Sequence, residues 1–168
     1  MDTIPVPNIL ARRSVRRYTA EPVTEEQITT LLKAAMAAPS AANRRPWHFV
    51  VVTERKVLDT LAERHPYAKM LFEAPLCIAV VGEPAVSDYW VQDCSAAAEN
   101  ILLAAAGMGL GSVWLGVHPR AEREQMVREV LGIPAGLVPL CLIAVGHPAE
   151  HPPARTQYDP ARVHYQRW

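Results

Sequence analysis

The sequence predicts a layered structure of helices and strands. Short β-branched and apolar runs, which are typical of buried strands, alternate along the chain with longer segments of helical periodicity. Half of the 168 residues are hydrophobic and one fifth are charged, the composition of a globular protein with a substantial core. Neither an internal repeat nor a low-complexity block interrupts this pattern. We therefore expect a single domain over residues 1–168, an α/β arrangement with helices packed on a sheet.

The predicted helices follow from apolar spacing and from capping signals. The first has a capping box, in which Gln27 stands three residues after Thr24, and Pro39 ends its pattern. The last has Pro119 near its first turn and Gly132 at its end, the usual asymmetry of proline and glycine. In chain order, the predicted helices cover residues 24–39, 54–65, 87–108 and 119–132.

The helix predicted over residues 87–108 differs from the others. Small residues occur almost all the way around it, which indicates burial on several faces and not on one stripe. A helix this central in a chain this short favours a core that is shared with a second subunit.

The predicted strands are short apolar runs bounded by prolines, glycines or charged residues. They cover residues 47–53, 75–82, 111–117 and 137–146. The remaining segment, 147–168, contains four prolines and ends in the sequence VHYQRW. This C-terminal tail is too apolar at its end to stay in solvent, so we expect it to dock, most simply on a neighbouring subunit.

Charge and cysteine content exclude several classes of protein. The chain has 17 Lys and Arg against 17 Asp and Glu, so it has no general attraction to nucleic acid or to anionic membranes. Its first residues, MDTIPVPNIL, lack the features of a signal peptide, and no apolar run is long enough to span a membrane. Cys77, Cys94 and Cys141 all stand in apolar stretches, which favours buried free thiols. We expect a soluble cytoplasmic protein.

The most unusual stretch is RRSVRRY, residues 12–18, which has four arginines in six positions. In an extended segment Arg12, Ser14 and Arg16 project to the same side. Guanidinium groups with a hydroxyl between them suit a phosphate group, because they combine charge, paired donors and a further donor. A solvated basic surface is the alternative that this stretch leaves open.

Two further stretches could contribute to a site. In PSAANRRPW, residues 39–47, Asn43 can donate and accept hydrogen bonds, as required to bind the edge of a flat heteroaromatic ring; an ordinary loop is the alternative. The glycines of GMGLGSVWLG, residues 107–116, end a helix and precede a strand, which is the wrong order for a dinucleotide-binding loop. Gly116, at the end of that strand, would let the backbone approach a planar ligand closely.

Taken together, these stretches resemble the nitroreductase family of FMN-dependent oxidoreductases, in a short form. The resemblance runs from about residue 8 to the C-terminus and rests on motifs in a fixed order: RRSVRRY, APSAANRRPWHFVVV, GLGSVWLG, LCLIAVGHPAE and VHYQRW. It implies an α+β fold, a three-layer α-β-α sandwich around a mixed, mainly antiparallel sheet. It also implies an intertwined homodimer, with FMN at the subunit interface and residues 147–168 wrapped around the partner.

The resemblance also implies a set of cofactor-binding residues. Arg12, Arg13 and Ser14 would lie at the phosphate and ribityl chain of FMN. Arg16 would lie near the N1/O2 edge of the ring, where a fixed cation favours the reduced flavin. Arg155 would reach the phosphate from the tail.

The remaining implied residues surround the flavin ring. The backbone of Leu115 and Gly116 would face the ring near N5, the atom that exchanges hydride. Pro39, Ser40 and Asn43 would contact the flavin from the partner subunit.

The chain departs from the family pattern at two positions. Gln157 stands where a second basic residue of the tail is usual, and Arg45 stands where glutamine is more frequent. These changes bear on phosphate binding and on what docks beside the ring. Arg17 has no role that the resemblance assigns.

The implied reaction is a ping-pong transfer of hydride from NAD(P)H through FMN to an electron-poor acceptor, such as a nitroaromatic, a quinone or an enone. The flavin carries the chemistry, so no side chain is expected to be an obligatory catalytic acid and no metal ligands are expected. The choice between NADH and NADPH stays open. Alternatives are an FMN-binding electron carrier, another flavin reaction such as dehalogenation, or, without the family relation, a basic phosphate-binding module.

Overall fold

A four-stranded sheet with helices on both faces forms the centre of the protein in the computed structural model, which describes residues 6–168. The strands are β1 (Trp47–Val52), β2 (Leu76–Gly82), β3 (Gly111–Gly116) and β4 (Val138–Gly146). The helices are α1 (Pro7–Ala11), α2 (Glu25–Met36), α3 (Arg55–Arg64), α4 (Trp90–Gly107) and α5 (Ala121–Leu131). All eight predicted elements are confirmed to within three residues at each end. Residues 1–5, part of the stretch in which no signal peptide was expected, lie outside the described residues.

The strand order in the sheet is β1-β2-β4-β3, and each neighbouring pair is antiparallel. Within the described residues, parallel pairing is confined to an isolated bridge between Ser14 and Ser112. The sheet is therefore mainly antiparallel, as the family resemblance implied. Strand β3 is an edge strand, and the segment that contains Ser14 pairs with the beginning of its outer side.

The two faces of the sheet support two separate cores. Leu76, Ile78 and Val80 of β2 pack with residues of α2 and α4. The alternate residues Cys77, Ala79 and Val81 pack with residues of α3 and α5. This alternation follows from the two-residue period of a strand, and it produces a three-layer α-β-α sandwich. The predicted layer arrangement is confirmed.

Local capping signals determine where two of the helices begin or end. The Thr24 hydroxyl accepts a hydrogen bond from the Gln27 N–H (3.2 Å), and the Gln27 side chain accepts one from the Thr24 N–H (2.9 Å). Gly132 ends α5 with a left-handed φ of 64°, a conformation that glycine adopts without strain. Both signals were predicted from the sequence and both are confirmed.

Helix α4 has one fully buried face, which includes Cys94, Ala97, Ile101 and Ala105. Most of its remaining residues are half-buried within this single chain. No helix among residues 6–168 is long and apolar enough to cross a membrane.

The three cysteines are buried and free. Burial raises the pKa of the Cys77 and Cys94 thiols to about 12 and that of Cys141 well above its usual value. The thiols therefore stay protonated near neutral pH, as expected of structural cysteines.

The first and last parts of the chain are joined beside β3. The Val15 N–H donates to the Ser112 carbonyl (3.0 Å), and the Thr19 N–H donates to the His147 carbonyl (2.9 Å). Tyr18 is buried, and its hydroxyl donates to the Val15 carbonyl at 2.5 Å. These contacts hold residues 14–19 between β3 and the chain that follows β4.

The C-terminal tail leaves the body of the protein after this junction. From residue 153 onward it is exposed, apart from a short 3₁₀ turn at Pro160–Arg162 that is also exposed. Its aromatic side chains Tyr158, Tyr165 and Trp168 are 69%, 77% and 100% exposed. Contacts with the tail's own chain therefore do not bury these side chains.

Gly111 allows the close approach of residues 14–19 to β3, because a Cβ atom at position 111 would lie 2.7 Å from Cγ1 of Val15. We expect Gly111→Ala to lower the free energy of unfolding by about 1–3 kcal/mol, as overpacking does. Urea denaturation measures this change. Gly116→Ala is the control, because no atom lies within 4 Å of the position of its Cβ, and it should change the free energy of unfolding much less. An unchanged stability of Gly111→Ala alone would contradict the contact.

Candidate functional site

The structure brings three of the predicted phosphate-binding arginines together. Arg12 and Arg13, at the end of α1, line a cavity of about 240 Å³ with Arg155 of the tail. The Arg13 guanidinium donates a hydrogen bond to the carbonyl of Pro153, which holds the tail over the cavity. Gln157 lines the same cavity, so this departure from the family pattern supplies a neutral polar group where a cation is usual.

Arg12 and Arg13 also line a second cavity, of about 160 Å³, with Ser112 and Glu150. Glu150 accepts a hydrogen bond from the Arg16 N–H at 2.5 Å. Arg12 forms an ion pair with Glu99 of α4 (3.5 Å). The arginine cluster is therefore flanked by two carboxylates, neither of which was predicted as part of the site.

The other two arginines of RRSVRRY, Arg16 and Arg17, have exposed side chains. Arg17 forms an ion pair with Glu73 (3.2 Å), and the same carboxylate accepts the Tyr18 N–H (3.1 Å). The hydrogen bond from the Tyr18 N–H is the main cause that lowers the pKa of Glu73, and Arg17 lowers this pKa further. Arg17 thus has a structural role outside the cavities, which the sequence left unassigned.

The predicted contacts to the flavin ring lie further along the same edge of the sheet. Ser14 pairs with Ser112, and Gly116 stands four residues later on β3, which is about 13 Å along a strand. No atom lies within 4 Å of the position that a Cβ of Gly116 would occupy. Leu115 is buried in the core that β3 forms with α3 and α5, and the strand register directs its backbone N–H and carbonyl toward β4. Neither its side chain nor its hydrogen-bonding backbone groups point to this edge.

The hydrogen-bond register shows the direction of the Gly116 backbone. The Val117 N–H donates to Leu140 of β4, whereas the Ser112 carbonyl points the other way, to Val15. Because backbone groups alternate sides along a strand, Gly116 directs its N–H and its carbonyl away from β4. The N–H therefore points toward the free edge of the sheet, beside the open space at Gly116.

The Gly116 carbonyl has two side-chain donors. His65, which is fully buried, lies with Nε2 at 3.1 Å from this oxygen, and Arg123 donates to it at 3.0 Å. Burial lowers the pKa of His65, and the charge of Arg123 acts in the same direction. Neither residue was predicted from the sequence.

The loop that contains Pro39, Ser40 and Asn43 lies elsewhere in the chain, at the start of α4. The Ala41 N–H donates to Asp93 of α4 (3.0 Å), and the Ser40 hydroxyl accepts the Arg45 N–H (3.0 Å). Pro39 and Asn43 are exposed. This loop is held in place by its own hydrogen bonds and by a buried carboxylate.

The same loop has three non-glycine residues with left-handed backbone: Ala42, Asn43 and Arg45, at φ of 50°, 54° and 50°. Such conformations are costly for side chains with a Cβ, and they concentrate at functional sites. Arg44 donates to the carbonyl of Val86 (3.0 Å) and Arg45 to that of Asn43 (3.3 Å). Both loop arginines thus use part of their donor capacity within the chain.

The two groups of predicted residues meet α4 at different points within one chain. The loop contacts Asp93, near the first turn, whereas Arg12 pairs with Glu99, six residues and about 9 Å further along the helix. No residue of the loop lines either of the two cavities that contain Arg12 and Arg13. The structure therefore joins Arg12, Arg13, Ser14 and Arg155 to the edge strand, but it does not bring the loop to them.

Comparison with known proteins identifies the family. A model of the nitroreductase family matches residues 9–65 and 56–147, most of the chain. The chain belongs to the nitroreductase family. A protein of Archaeoglobus fulgidus, provisionally named NADH dehydrogenase/NAD(P)H nitroreductase, is 46% identical over 167 residues, covering 95% of this chain and 96% of the relative.

Solved structures of nitroreductase-family relatives agree with the fold. A crystal structure of a Bacteroides thetaiotaomicron protein with the same provisional name has a TM-score of 0.96 at 45% identity, with 100% of both chains covered. A provisional nitroreductase from Desulfovibrio desulfuricans, solved in complex with FMN, has a TM-score of 0.83 at 31% identity, with 99% of both chains covered. The predicted nitroreductase-like fold is confirmed.

The residues that sequence reasoning missed share one property. Each of them binds a backbone N–H or carbonyl with its side chain: Glu150, Asp93, His65 and Arg123. For the first three, that backbone group is more than 50 residues away in the sequence. Arg123 lies in a helix whose charge pattern does not distinguish it. The only available signal was GHPAE at the end of the last strand, which was used for the family resemblance but not for Glu150 itself.

The lowered pKa of His65 predicts a pH-dependent stability. The unfolded chain binds a proton at this histidine near its ordinary pKa of 6.5, whereas the folded chain does so only at lower pH. The contribution of His65 to stability is therefore complete above pH 6.5 and is lost as the pH falls below it, with a slope of at most about 1.4 kcal/mol per pH unit.

Urea denaturation between pH 7.5 and pH 5.5 measures this slope. In His65→Gln, which has no titrating group at this position, the loss over the same range should be smaller. Equal slopes in the two proteins would contradict the prediction.

Proposed function

We propose that this chain binds FMN along the edge of β3 and uses NAD(P)H to reduce an electron-poor acceptor. The observation that carries the proposal is the joining of Arg12, Arg13 and Arg155 in one cavity, next to a second cavity in which Arg12 and Arg13 meet the start of the edge strand β3. In a member of the nitroreductase family, this arrangement is that of an NAD(P)H-dependent flavin oxidoreductase with FMN as its cofactor.

The cavity fits the phosphate of FMN in charge and in donor groups. Arg12, Arg13 and Arg155 supply guanidinium groups, and Gln157 adds a neutral amide. A phosphate carries about two negative charges near pH 7, and paired guanidinium donors bind it strongly. The pairing of Arg12 with Glu99 holds one of these cations in position.

The edge of β3 fits the remainder of the cofactor. Ser14 pairs with Ser112 beside the arginines, and Arg16 follows with an exposed cationic side chain suited to the N1/O2 edge of the ring. Gly116 leaves open space and directs an N–H outward. A planar ring can therefore lie close to this backbone, as the N5 region of the flavin would require.

FMN held here would supply the chemistry of hydride transfer from NAD(P)H to an electron-poor acceptor, such as a nitroaromatic, a quinone or an enone, in a ping-pong reaction. The residues of this chain bind the phosphate, orient the ring and hold a cation near it. Protons come from water, so no side chain has to act as an obligatory acid.

A homodimer completes the proposed site. The loop with Pro39, Ser40 and Asn43 does not line the cavities of the arginine cluster in its own chain, and a partner subunit would supply it. Two further features support a dimer: the half-buried faces of α4 and the exposed aromatic residues of the tail. The tail of residues 147–168 would wrap around the partner and bury those side chains. A cytoplasmic location also belongs to the proposal, since the three cysteines are free.

Titration of the flavin-free protein with FMN, followed by anaerobic addition of NADH or NADPH, tests the function. We expect a bound-flavin spectrum that bleaches with a nicotinamide and returns with a quinone or nitroaromatic. Arg13→Met should raise the dissociation constant for FMN about tenfold or more, because it removes a charge-assisted hydrogen bond.

Arg17→Met is the matched control, since Arg17 belongs to the same run but pairs with Glu73 outside the cavities. Its FMN affinity should stay close to that of the unaltered protein. Bound flavin that neither nicotinamide reduces would favour an electron carrier. Absence of FMN binding, or equal effects of the two variants, would contradict the assigned site.

Light scattering after gel filtration tests the dimer and should give twice the mass of the chain. Trp168→Ala should raise the dimer dissociation constant on the order of tenfold or more, as removal of a buried interface tryptophan does. Phe72→Ala is the control, because Phe72 is 46% exposed in the turn after α3, away from α4 and the tail. A monomer at micromolar concentration, with or without FMN, would contradict the proposal.

A further inference from the structure

We infer that His65 and Arg123 are positioning residues that together fix the backbone of Gly116 against the flavin ring. The inference rests on the proposed function, and it assigns a role to two residues that lie outside the arginine cluster. Neither side chain is placed in contact with the cofactor. Both act through the Gly116 carbonyl.

The hydrogen bonds of His65 define its protonation and its direction. The Tyr67 N–H donates to Nδ1 of His65 (3.2 Å), so the proton of the neutral ring lies on Nε2. Nε2 is 3.1 Å from the Gly116 carbonyl and therefore donates to it. Because His65 has no exposed surface, this donor has no water as an alternative partner.

Arg123 reaches the same oxygen from another element. It comes from α5, and one of its guanidinium nitrogens donates to Gly116 at 3.0 Å. The guanidinium lies over the ring of Tyr67, with 5.1 Å to the ring centre, and the rings of Tyr67 and His65 meet edge to face at 6.4 Å. Tyr67 thus contacts both donor side chains. His65, at the end of α3, and Arg123, in α5, donate to the same Gly116 carbonyl.

Gly116 needs this support because it is a glycine. The missing Cβ leaves the open space that a flat ligand can enter, but it also removes the steric limits on the backbone dihedrals. Two donors on the carbonyl, together with the Val117 N–H bound to Leu140, restrict the dihedrals on the C-terminal side of Gly116. The Gly116 N–H belongs to the preceding peptide, whose Leu115 carbonyl faces β4 in the strand register. With the peptide planes on both sides of Gly116 held, its N–H keeps one direction, toward the position proposed for the ring.

Variants that keep or remove each donor test the inference. His65→Gln and Arg123→Lys keep an N–H donor, whereas His65→Leu and Arg123→Met do not. We expect FMN affinity to change little in all four. The rate of flavin reduction by NAD(P)H at saturation should fall on the order of tenfold in Arg123→Met and His65→Leu, and on the order of a hundredfold in His65→Leu/Arg123→Met, with KM affected less.

A second measurement does not depend on activity. The amide resonance of Gly116 in the ¹H–¹⁵N spectrum of the flavin-free protein should shift and broaden in the variants without a donor and should recover in Arg123→Lys. Arg64→Met is the matched control: Arg64 also joins α3 to α5, through Glu129 at 2.7 Å, but makes no contact with Gly116. It should leave both the rate and the resonance unchanged.

Several outcomes separate the inference from the function on which it rests. Folded Arg123→Met and double variants that reduce flavin at the rate of the unaltered protein, with the Gly116 resonance unmoved, would overturn the inference. If His65→Leu does not fold, Arg123→Met and its rescue by Arg123→Lys decide the question. An unaltered protein that binds no FMN, or whose FMN is not reduced, would overturn the proposed function, and the Gly116 resonance would still show whether the two donors fix the backbone.

Discussion

The pairing of residues 14–19 with β3 and with the chain after β4 is the constraint on which the site depends. Val15 is buried against Gly111, and Tyr18 is buried beneath the junction. Arg16 and Arg17, between these two buried residues, are exposed, and residues 12–14, before them, are half-buried. The position of the arginines therefore follows from the packing of Val15 and Tyr18.

The sequence predicted features that depend on neighbours along the chain. The capping box at Thr24 and the left-handed end of α5 at Gly132 are local, so the residues that form them are adjacent in the sequence. The family motifs likewise located the arginine cluster, because Arg12 and Arg13 stand in one short run. Element boundaries were predictable for this reason. The three-layer arrangement and the grouping with Arg155 are not local, and they were expected only from the family resemblance.

Side chains that bind a distant backbone group could not be predicted in this way. His65 lies 51 residues from Gly116 in the sequence, and a histidine at the end of an amphipathic helix has no pattern that indicates its acceptor. Arg123 stands in a helix with four other charged residues, two of them exposed and two half-buried, so nothing in its spacing distinguished it. Glu150 was hidden for a similar reason, since it uses the N–H of Arg16 and not a charged partner.

The site is also assembled from residues that are far apart in the order of synthesis. Arg13 contacts Pro153 across 140 residues, and Arg16 contacts Glu150 across 134 residues. Contacts of such large sequence separation form late, because closing a long loop costs entropy before any contact compensates for it. A ribosome that has released residues 12–18 must still translate more than 130 further residues before Glu150 and Pro153 exist. The arginines of this segment therefore remain without these neighbours until then, and the proposed cofactor site cannot assemble around them earlier.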